Sequence, residues 1–186
     1  CLHPDFTYVL AEIDGEKLVL AKELIDSFLK ETEKESFTII KEFKGTDLEY
    51  MVCCHPIMDR DSLVILGEHV TLDAGTGCVH TAPGHGADDF EVGRKYQLPV
   101  ISPLDDRGVF TAEGVQFAGL KTKDANGAVI KELAEKGALV KQASIRHQYP
   151  HCWRCKNPIL FRATEQWFAS IDGFREQALA EIDRVQ

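Results

Sequence analysis

Residues 6–21 read F-T-Y-V-L-A-E-I-D-G-E-K-L-V-L-A, and this stretch carries the clearest structural signal of the chain. β-Prone residues fill positions 6–13 and 17–21, on either side of Asp14 and Gly15. A two-residue turn of this composition matches the right-handed twist of paired strands. The sequence therefore predicts an antiparallel hairpin near the start of the chain, which the remaining elements must cover.

Three later segments have the spacing of helices. From position 22 to 34, apolar side chains recur at helical intervals at Leu24, Ile25, Phe28 and Leu29. Residues 88–96 begin with two carboxylates, which suit the positive end of a helix dipole. Residues 124–136 are amphipathic and precede a glycine, a usual helix terminator. We predict one helix in each of these segments.

Many short β-prone runs lie between the helices, each bounded by Gly, Pro or Asp. Numerous short strands with few helices favour a β-rich mixed α+β domain. We predict a small closed or nearly closed β-barrel with peripheral helices. The runs after the hairpin are residues 37–43, 48–54, 63–66, 69–72, 78–81, 99–104, 138–144 and 158–162.

Composition limits the classes of function. The chain has 186 residues, 44% of them hydrophobic, and no apolar run long enough to span a bilayer, so we expect one domain and no membrane partner. Thirty acidic against twenty-one basic residues give a net charge of −9. This charge opposes attraction to phosphate backbones, so we expect no DNA partner and only local contact with RNA. Six irregularly spaced cysteines favour a reducing, cytoplasmic location.

Residues 73–90 read D-A-G-T-G-C-V-H-T-A-P-G-H-G-A-D-D-F and form the least ordinary stretch of the sequence. Four glycines and a proline precede a helix start, so the backbone can approach a ligand closely there. The stretch presents His80, His85, Asp88 and Asp89. Two interpretations stay open at this point: a ligand-binding loop, or ordinary turns with a helix-capping aspartate and a core histidine.

This stretch, followed by V-G-R-K-Y-Q-L-P, resembles the editing domain of isoleucyl-tRNA synthetases. The resemblance continues through H-P-I-M-D-R-D-S-L-V-I-L-G-E-H-V at residues 55–70. It also includes Y-P-H-C-W-R-C-K-N-P-I-L-F-R-A-T-E-Q-W-F at residues 149–168, and thus covers nearly the whole chain. The related valyl and leucyl enzymes share G-T-G and the final Asp, but usually differ at position 80 and lack G-H-G-x-D-D. Editing by one of those two enzymes is therefore a weaker alternative.

The resemblance implies a hydrolytic function. One methylene is worth only about 1–3 kcal/mol in a pocket, so a site for isoleucine also accepts some valine, and a second site must remove it. The implied reaction is hydrolysis of mischarged Val-tRNA(Ile), without a cofactor in this domain. The implied parent enzyme ligates isoleucine to tRNA(Ile) with ATP and Mg. The implied partners are the valine-carrying acceptor end of tRNA(Ile) and the rest of the synthetase chain.

The resemblance also implies roles for individual residues. Asp89 matches the position that binds the α-ammonium group of the misattached amino acid, a charge-assisted contact. His80 matches the wall of the side-chain pocket, which admits valine and excludes isoleucine. We complete the predicted substrate-binding set with four further residues of the same loop, and we assign no catalytic residue and no metal ligand. These four are Thr81, Gly84, His85 and Asp88.

We expect residues 1–146 to form the core of the editing domain. Residues 147–186 would be a return segment and amphipathic tail leading toward the catalytic domain of the parent enzyme. In the family, a threonine-rich strand that completes the pocket lies upstream of the position of Cys1. Because the chain lacks this strand, we expect the isolated chain to edit poorly or not at all.

A second candidate site is Cys152-Trp-Arg-Cys155, which with His147 and His151 has the composition of a tetrahedral zinc site. Two cysteines alone would not close such a site. Some relatives pair this dyad with a second C-x-x-C before the editing insertion, which would make Cys152 and Cys155 a zinc half-site of the parent enzyme. The alternatives that stay open are a zinc-stabilised structural or docking module and two reduced thiols beside a turn.

Overall fold

The computed structural model of the chain describes residues 1–144, 146 and 148–185. Its main sheet has three antiparallel strands in the order β2-β1-β3. Strand β1 is Thr7–Ile13, β2 is Glu16–Ala21 and β3 is Phe37–Lys44. Asp14 and Gly15 have φ values of 51° and 84°, as the predicted tight turn requires. The predicted hairpin is confirmed, and so is the strand predicted at residues 37–43.

The first hydrophobic core lies between the hairpin and helix α1, which spans Ile25–Thr32 after a 3₁₀ turn at Lys22–Leu24. The central strand β1 supplies fully buried Val9, Ala11 and Ile13. Helix α1 supplies Ile25 and Phe28, which its apolar spacing had predicted to face inward. The predicted helix is thus confirmed, although it starts later and ends earlier than the sequence suggested.

A second core joins the hairpin to the segment that follows the small sheet. This sheet pairs β4, Val52–Cys54, with β5, Asp61–Leu63. Beyond β5, Leu2 lies beside residues 65–67: its N–H donates to the Ile65 carbonyl and its carbonyl accepts from Gly67, both at 2.9 Å. The buried members of this second core are Leu2, Tyr8, Ala21, Leu24 and Leu66.

The remaining helices are α2 at Ala87–Lys95, α3 at Thr122–Glu135 and α4 at Arg175–Ile182, with 3₁₀ segments at Gly45–Leu48 and Ala112–Phe117. Both of the later predicted helices are confirmed. Helix α4 buries none of its residues, and Trp167 and Phe168 ahead of it are almost fully exposed. Among the described residues, every helix is too short or too polar to cross a lipid bilayer.

Five predicted strands are wrong: residues 69–72, 78–81, 99–104, 138–144 and 158–162 form no ladder in the described chain. Composition made them β-prone, but a strand exists only where a neighbour supplies the other side of the ladder. Isolated bridges occur instead, such as Leu104 with Phe110 and His151 with Pro158. In the described part of the chain, the strands form two separate open sheets. The closed barrel and the division near residue 146 stay predictions.

Candidate functional site

A cavity of about 670 Å³ lies between the small sheet, residues 78–83 and residues 98–104. Its walls are mainly apolar and include Met51, Leu63 and Ile101. The polar side chains that reach it include Arg60, Asp61, His80, Thr81 and His85. Pockets of this volume hold molecules of drug or nucleoside size, usually with a few polar groups that fix orientation.

Hydrogen bonds connect the G-T-G turn at residues 75–77 to the hairpin, and this turn leads into the cavity wall that carries His80. The Tyr8 hydroxyl donates to the Gly77 carbonyl at 2.8 Å, and the Ala21 N–H donates to the Thr76 carbonyl at 2.8 Å. Gly77 has a φ of 70°, and a Cβ there would stand 2.7 Å from the Ala21 methyl group. Only glycine satisfies both conditions, so this residue serves close packing. The turn sets the position of His80, three residues further along.

Cys1 makes two backbone hydrogen bonds to the same cavity wall. Its backbone nitrogen donates to the Val79 carbonyl at 2.6 Å, and its carbonyl accepts from the Val79 N–H at 2.9 Å. Val79 thus pairs with Cys1 through two backbone hydrogen bonds.

His80 lines the cavity beside a second histidine. The rings of His55 and His80 meet edge to face with centroids 6.5 Å apart. Partial desolvation lowers the pKa of His80, and the Arg60 guanidinium lowers it further, while the Asp89 carboxylate acts in the opposite direction. His80 is therefore a neutral imidazole at neutral pH. A neutral ring can form an apolar wall without carrying a charge into the pocket.

His55 is held as one tautomer. Its Nδ1 accepts hydrogen bonds from the backbone N–H groups of Ile57 at 3.1 Å and Met58 at 2.9 Å. Since both partners donate, Nδ1 carries no proton, and the proton of the neutral ring is on Nε2. Desolvation first, and then the Arg60 charge, lower the pKa of His55. His55 thus shapes the loop that carries Arg60.

Thr81 and His85 reach the cavity in different ways. Thr81 lines the cavity, and its hydroxyl oxygen is buried without a hydrogen-bond partner among the described residues. His85 Nδ1 donates to the Phe161 carbonyl at 3.0 Å. This bond ties the return segment of the chain to the glycine-rich loop, so residue 161 helps to hold one edge of the cavity.

Asp89 lies directly behind the cavity wall. Its Oδ2 accepts a hydrogen bond from the Ala82 N–H at 3.2 Å, and Ala82 lines the cavity. The N-cap position of α2 is Gly86, and no side chain caps it. Helix capping by Asp89 is therefore not observed, whereas its position in the first turn of α2 still suits the helix dipole. A carboxylate has about four acceptor positions, so one N–H leaves capacity for a ligand ammonium group.

Two of the predicted residues lie apart from this group. Gly84 packs against residue 101, where a Cβ would stand 2.1 Å from the Ile101 carbonyl oxygen, and its own carbonyl accepts from Ala163 at 2.7 Å. Asp88 lines a separate depression of about 360 Å³, together with His69. The structure therefore brings His80, Thr81 and His85 together, with Asp89 adjacent, and leaves Gly84 and Asp88 outside.

Sequence reasoning missed Arg60 and Cys53, which also line the cavity. Cys53 lies in β4 and Arg60 lies between β4 and β5, so both are distant in sequence from the glycine-rich loop. A signal for Arg60 was present, because residues 55–70 carry part of the family resemblance and include one arginine. No sequence spacing indicated that this arginine faces His80.

The Cys152 and Cys155 dyad forms a tight turn. The Lys156 N–H donates to the Cys152 carbonyl, and the Cys152 N–H donates to the Asn157 carbonyl, both at 2.8 Å. Backbone N–H groups of Cys155 and Arg154 lower the pKa of the Cys152 thiol. In the part of the chain that the structure describes, no three His, Cys, Asp or Glu side chains are placed to hold a metal ion. His147, which the zinc alternative invoked, lies outside the described residues.

Comparisons with known proteins identify the family of the chain. The sequence model of the family "Leucyl-tRNA synthetase, editing domain" matches residues 9–134. The isoleucine–tRNA ligase of Syntrophomonas wolfei subsp. wolfei is 61% identical over 186 residues, and that of Moorella thermoacetica is 60% identical over 185. That of Desulforamulus reducens is 59% identical over 186 residues.

In each alignment the whole chain is covered, whereas it spans only 20% of the relative's length. The chain thus corresponds to one part of these longer ligases. The family match includes most of the hairpin, the small sheet and the cavity wall that carries His80 and His85. The chain belongs to the aminoacyl-tRNA synthetase editing domains, and its relatives assign it to the isoleucine–tRNA ligase branch of that family.

Proposed function

We propose that this domain hydrolyses the ester bond of Val-tRNA(Ile) and does so in the 670 Å³ cavity. The observation that carries the proposal is the placement of His80 on the cavity wall with the Asp89 carboxylate immediately behind it. The first residue would limit the size of the amino-acid side chain. The second would bind its ammonium group.

Cavity size and polarity support this substrate. Its volume falls in the range that holds a terminal adenosine with a small amino acid attached. Apolar residues such as Met51, Leu63 and Ile101 suit an aliphatic side chain and the faces of a base. These groups together match an aminoacyl adenosine better than a free amino acid.

Asp89 supplies the charge that the substrate requires. An ester-linked amino acid has a free α-ammonium group but no carboxylate, because its carboxyl group is in the ester. A carboxylate beside the cavity therefore attracts it, and such a charge-assisted hydrogen bond is about twice as strong as a neutral one. The backbone bond from Ala82 fixes the orientation of the Asp89 carboxylate.

The reaction is attack of water on the ester carbonyl, which releases valine and restores the ribose hydroxyl. The residues of the cavity contribute by holding the ester and the water in register, which reduces the entropic part of the barrier. We assign no side chain as the general base. His80, as a neutral imidazole, forms the wall against which the valine methyl groups pack.

The parent enzyme would ligate isoleucine to tRNA(Ile) with ATP and Mg held in its other domains. Its partner here would be the valine-carrying acceptor end of tRNA(Ile). Because the net charge of this chain is −9, most of the affinity for RNA would come from the rest of the synthetase chain.

A deacylation panel tests the proposal. The full-length parent enzyme is incubated with Val-tRNA(Ile), Ile-tRNA(Ile) and Thr-tRNA(Val), and free amino acid is measured. We expect rapid release of valine from the first substrate and little release from the other two. Preferential hydrolysis of Thr-tRNA(Val) would favour the valyl-type alternative, and hydrolysis of none would refute an editing function.

A further inference from the structure

Arg60 lines the cavity and has no role in the proposed hydrolysis. It follows His55-Pro-Ile-Met-Asp and, among the described residues, is the only Lys or Arg side chain that lines the cavity. The charged and titratable groups near it are Asp59 and Asp61 in sequence and the two histidines in space. Its positive charge lowers the pKa of both imidazoles, His55 and His80.

Arg60 has no ion-pair partner in the structure. In the described ranges, every carboxylate lies more than 4.0 Å from its guanidinium, including those of its neighbours Asp59 and Asp61. Arg94 and Arg162, in contrast, pair with Glu91 and Asp106. In a chain with thirty acidic residues, a cavity-lining arginine without a partner is available for an external anion.

We propose that Arg60 binds the phosphate on the 5′ oxygen of the terminal adenosine of the substrate. This inference rests on the proposed function. The amino acid end of such a substrate is cationic, and its carboxyl group is esterified. The anion of this substrate nearest to the ester is therefore the 5′ phosphate of the same adenosine, and a guanidinium binds phosphate oxygens in a bidentate manner.

The proposal explains how an acidic domain holds one end of an RNA. Arg60 lines the cavity beside β5, and Asp89 lies behind the cavity wall at Ala82, so the two charges belong to different segments. The substrate has the complementary charges, an ammonium group at one end and a phosphate at the other. Two opposite charges in fixed places orient the ester between them, which a single contact would not do.

The test measures binding of stable amide analogues by calorimetry, so that it does not depend on turnover. The probes are 3′-valylamino-3′-deoxyadenosine with and without a 5′-phosphate, added to the full-length parent enzyme blocked at its synthetic site with an isoleucyl-adenylate analogue. The variants are Arg60→Gln, Arg60→Lys and, as a matched loss of charge outside the cavity, Arg94→Gln. Thermal melts establish that each variant is folded.

We expect the wild type and Arg94→Gln to bind the probe with a 5′-phosphate about tenfold more tightly than the probe without one. Arg60→Gln should bind the two probes equally, and Arg60→Lys should keep part of the preference for the phosphorylated probe. A wild type without preference, or a preference that survives Arg60→Gln, would overturn the proposal. If Val-tRNA(Ile) is still deacylated in that case, the editing function stands and only the role of Arg60 fails. Failure of both probes to bind would overturn it as well.

Discussion

The carboxylate of Asp89 accepts a hydrogen bond from the backbone N–H of Ala82 at 3.2 Å. This contact connects the first turn of α2 to the cavity wall, only two residues after His80. Asp89 thus has two roles in the account: it orders the loop, and it presents charge to the substrate ammonium group. Substitutions at Asp89 can test these two roles separately.

Asp89→Asn keeps an oxygen that can accept from Ala82 but removes the negative charge. We expect kcat/KM for deacylation of Val-tRNA(Ile) to fall about 10- to 100-fold, since a hydrogen bond to a charged group contributes about 1.5–3 kcal/mol. Stability should change by less than about 0.5 kcal/mol. Aminoacylation by the full-length enzyme is the control and should be unaffected. Wild-type deacylation by Asp89→Asn would show that the charge has no part in binding.

Tyr8→Phe tests the attachment of the loop to the hairpin. The fully buried Tyr8 hydroxyl donates to Gly77 and accepts from the His3 N–H at 2.9 Å. Removing it leaves both backbone groups unpaired, so we expect a loss of about 1–3 kcal/mol in the free energy of unfolding, measured with urea. Tyr50→Phe is the matched control, because Tyr50 is 64% exposed. Equal effects of the two substitutions would contradict the role of Tyr8.

The same side chain predicts how stability depends on alkaline pH. Burial raises the pKa of Tyr8 to about 12 from an ordinary value of 10. The folded state therefore holds its proton where the unfolded state loses it, and this stability is complete below pH 10 and lost as the pH rises toward 12. Urea titrations across that window should show a smaller decline for Tyr8→Phe than for wild type. Part of the decline should remain, because the pKa of Tyr96 is also raised to about 12. Parallel declines would contradict the argument.

Gly84→Ala should distort the loop at its contact with residue 101. The new methyl group would stand 2.1 Å from the Ile101 carbonyl oxygen, so backbone must move. We expect a loss of about 1–3 kcal/mol, the usual cost of overpacking, and slower deacylation. In Gly127→Ala the methyl group would have open space in α3, and the change should stabilise by up to about 1 kcal/mol. Circular-dichroism melts of the two variants decide this prediction, which fails if both behave alike.

The sequence predicted the elements whose signals are local. The hairpin needed only the Asp14-Gly15 turn between β-prone runs, and α1 needed only the spacing of Ile25 and Phe28. The later strand predictions failed because pairing depends on what lies alongside. Residues 78–81 have the composition of a strand, yet in the described part of the chain Val79 alone of this run pairs with another backbone segment, at Cys1.

Only part of the candidate site could be predicted, because some of its residues are brought together by the fold and not by their spacing in sequence. His80, Thr81 and His85 occur in one loop, so the motif alone grouped them. Asp88 and Asp89 are adjacent in sequence but face different sides of α2, a distinction that only the helix geometry reveals. Arg60 faces the cavity through the pairing of β4 with β5, and no motif spacing encodes that pairing.

The most direct test of the central claim, that His80 separates valine from isoleucine, is a paired deacylation assay with wild-type and His80→Ala full-length enzyme. Alanine enlarges the pocket by far more than the one methylene that distinguishes the two amino acids, while Asp89 still binds the ammonium group. We expect His80→Ala to hydrolyse Ile-tRNA(Ile), which wild type spares, and to keep hydrolysing Val-tRNA(Ile). Loss of activity on Val-tRNA(Ile) with no gain on Ile-tRNA(Ile) would contradict the account.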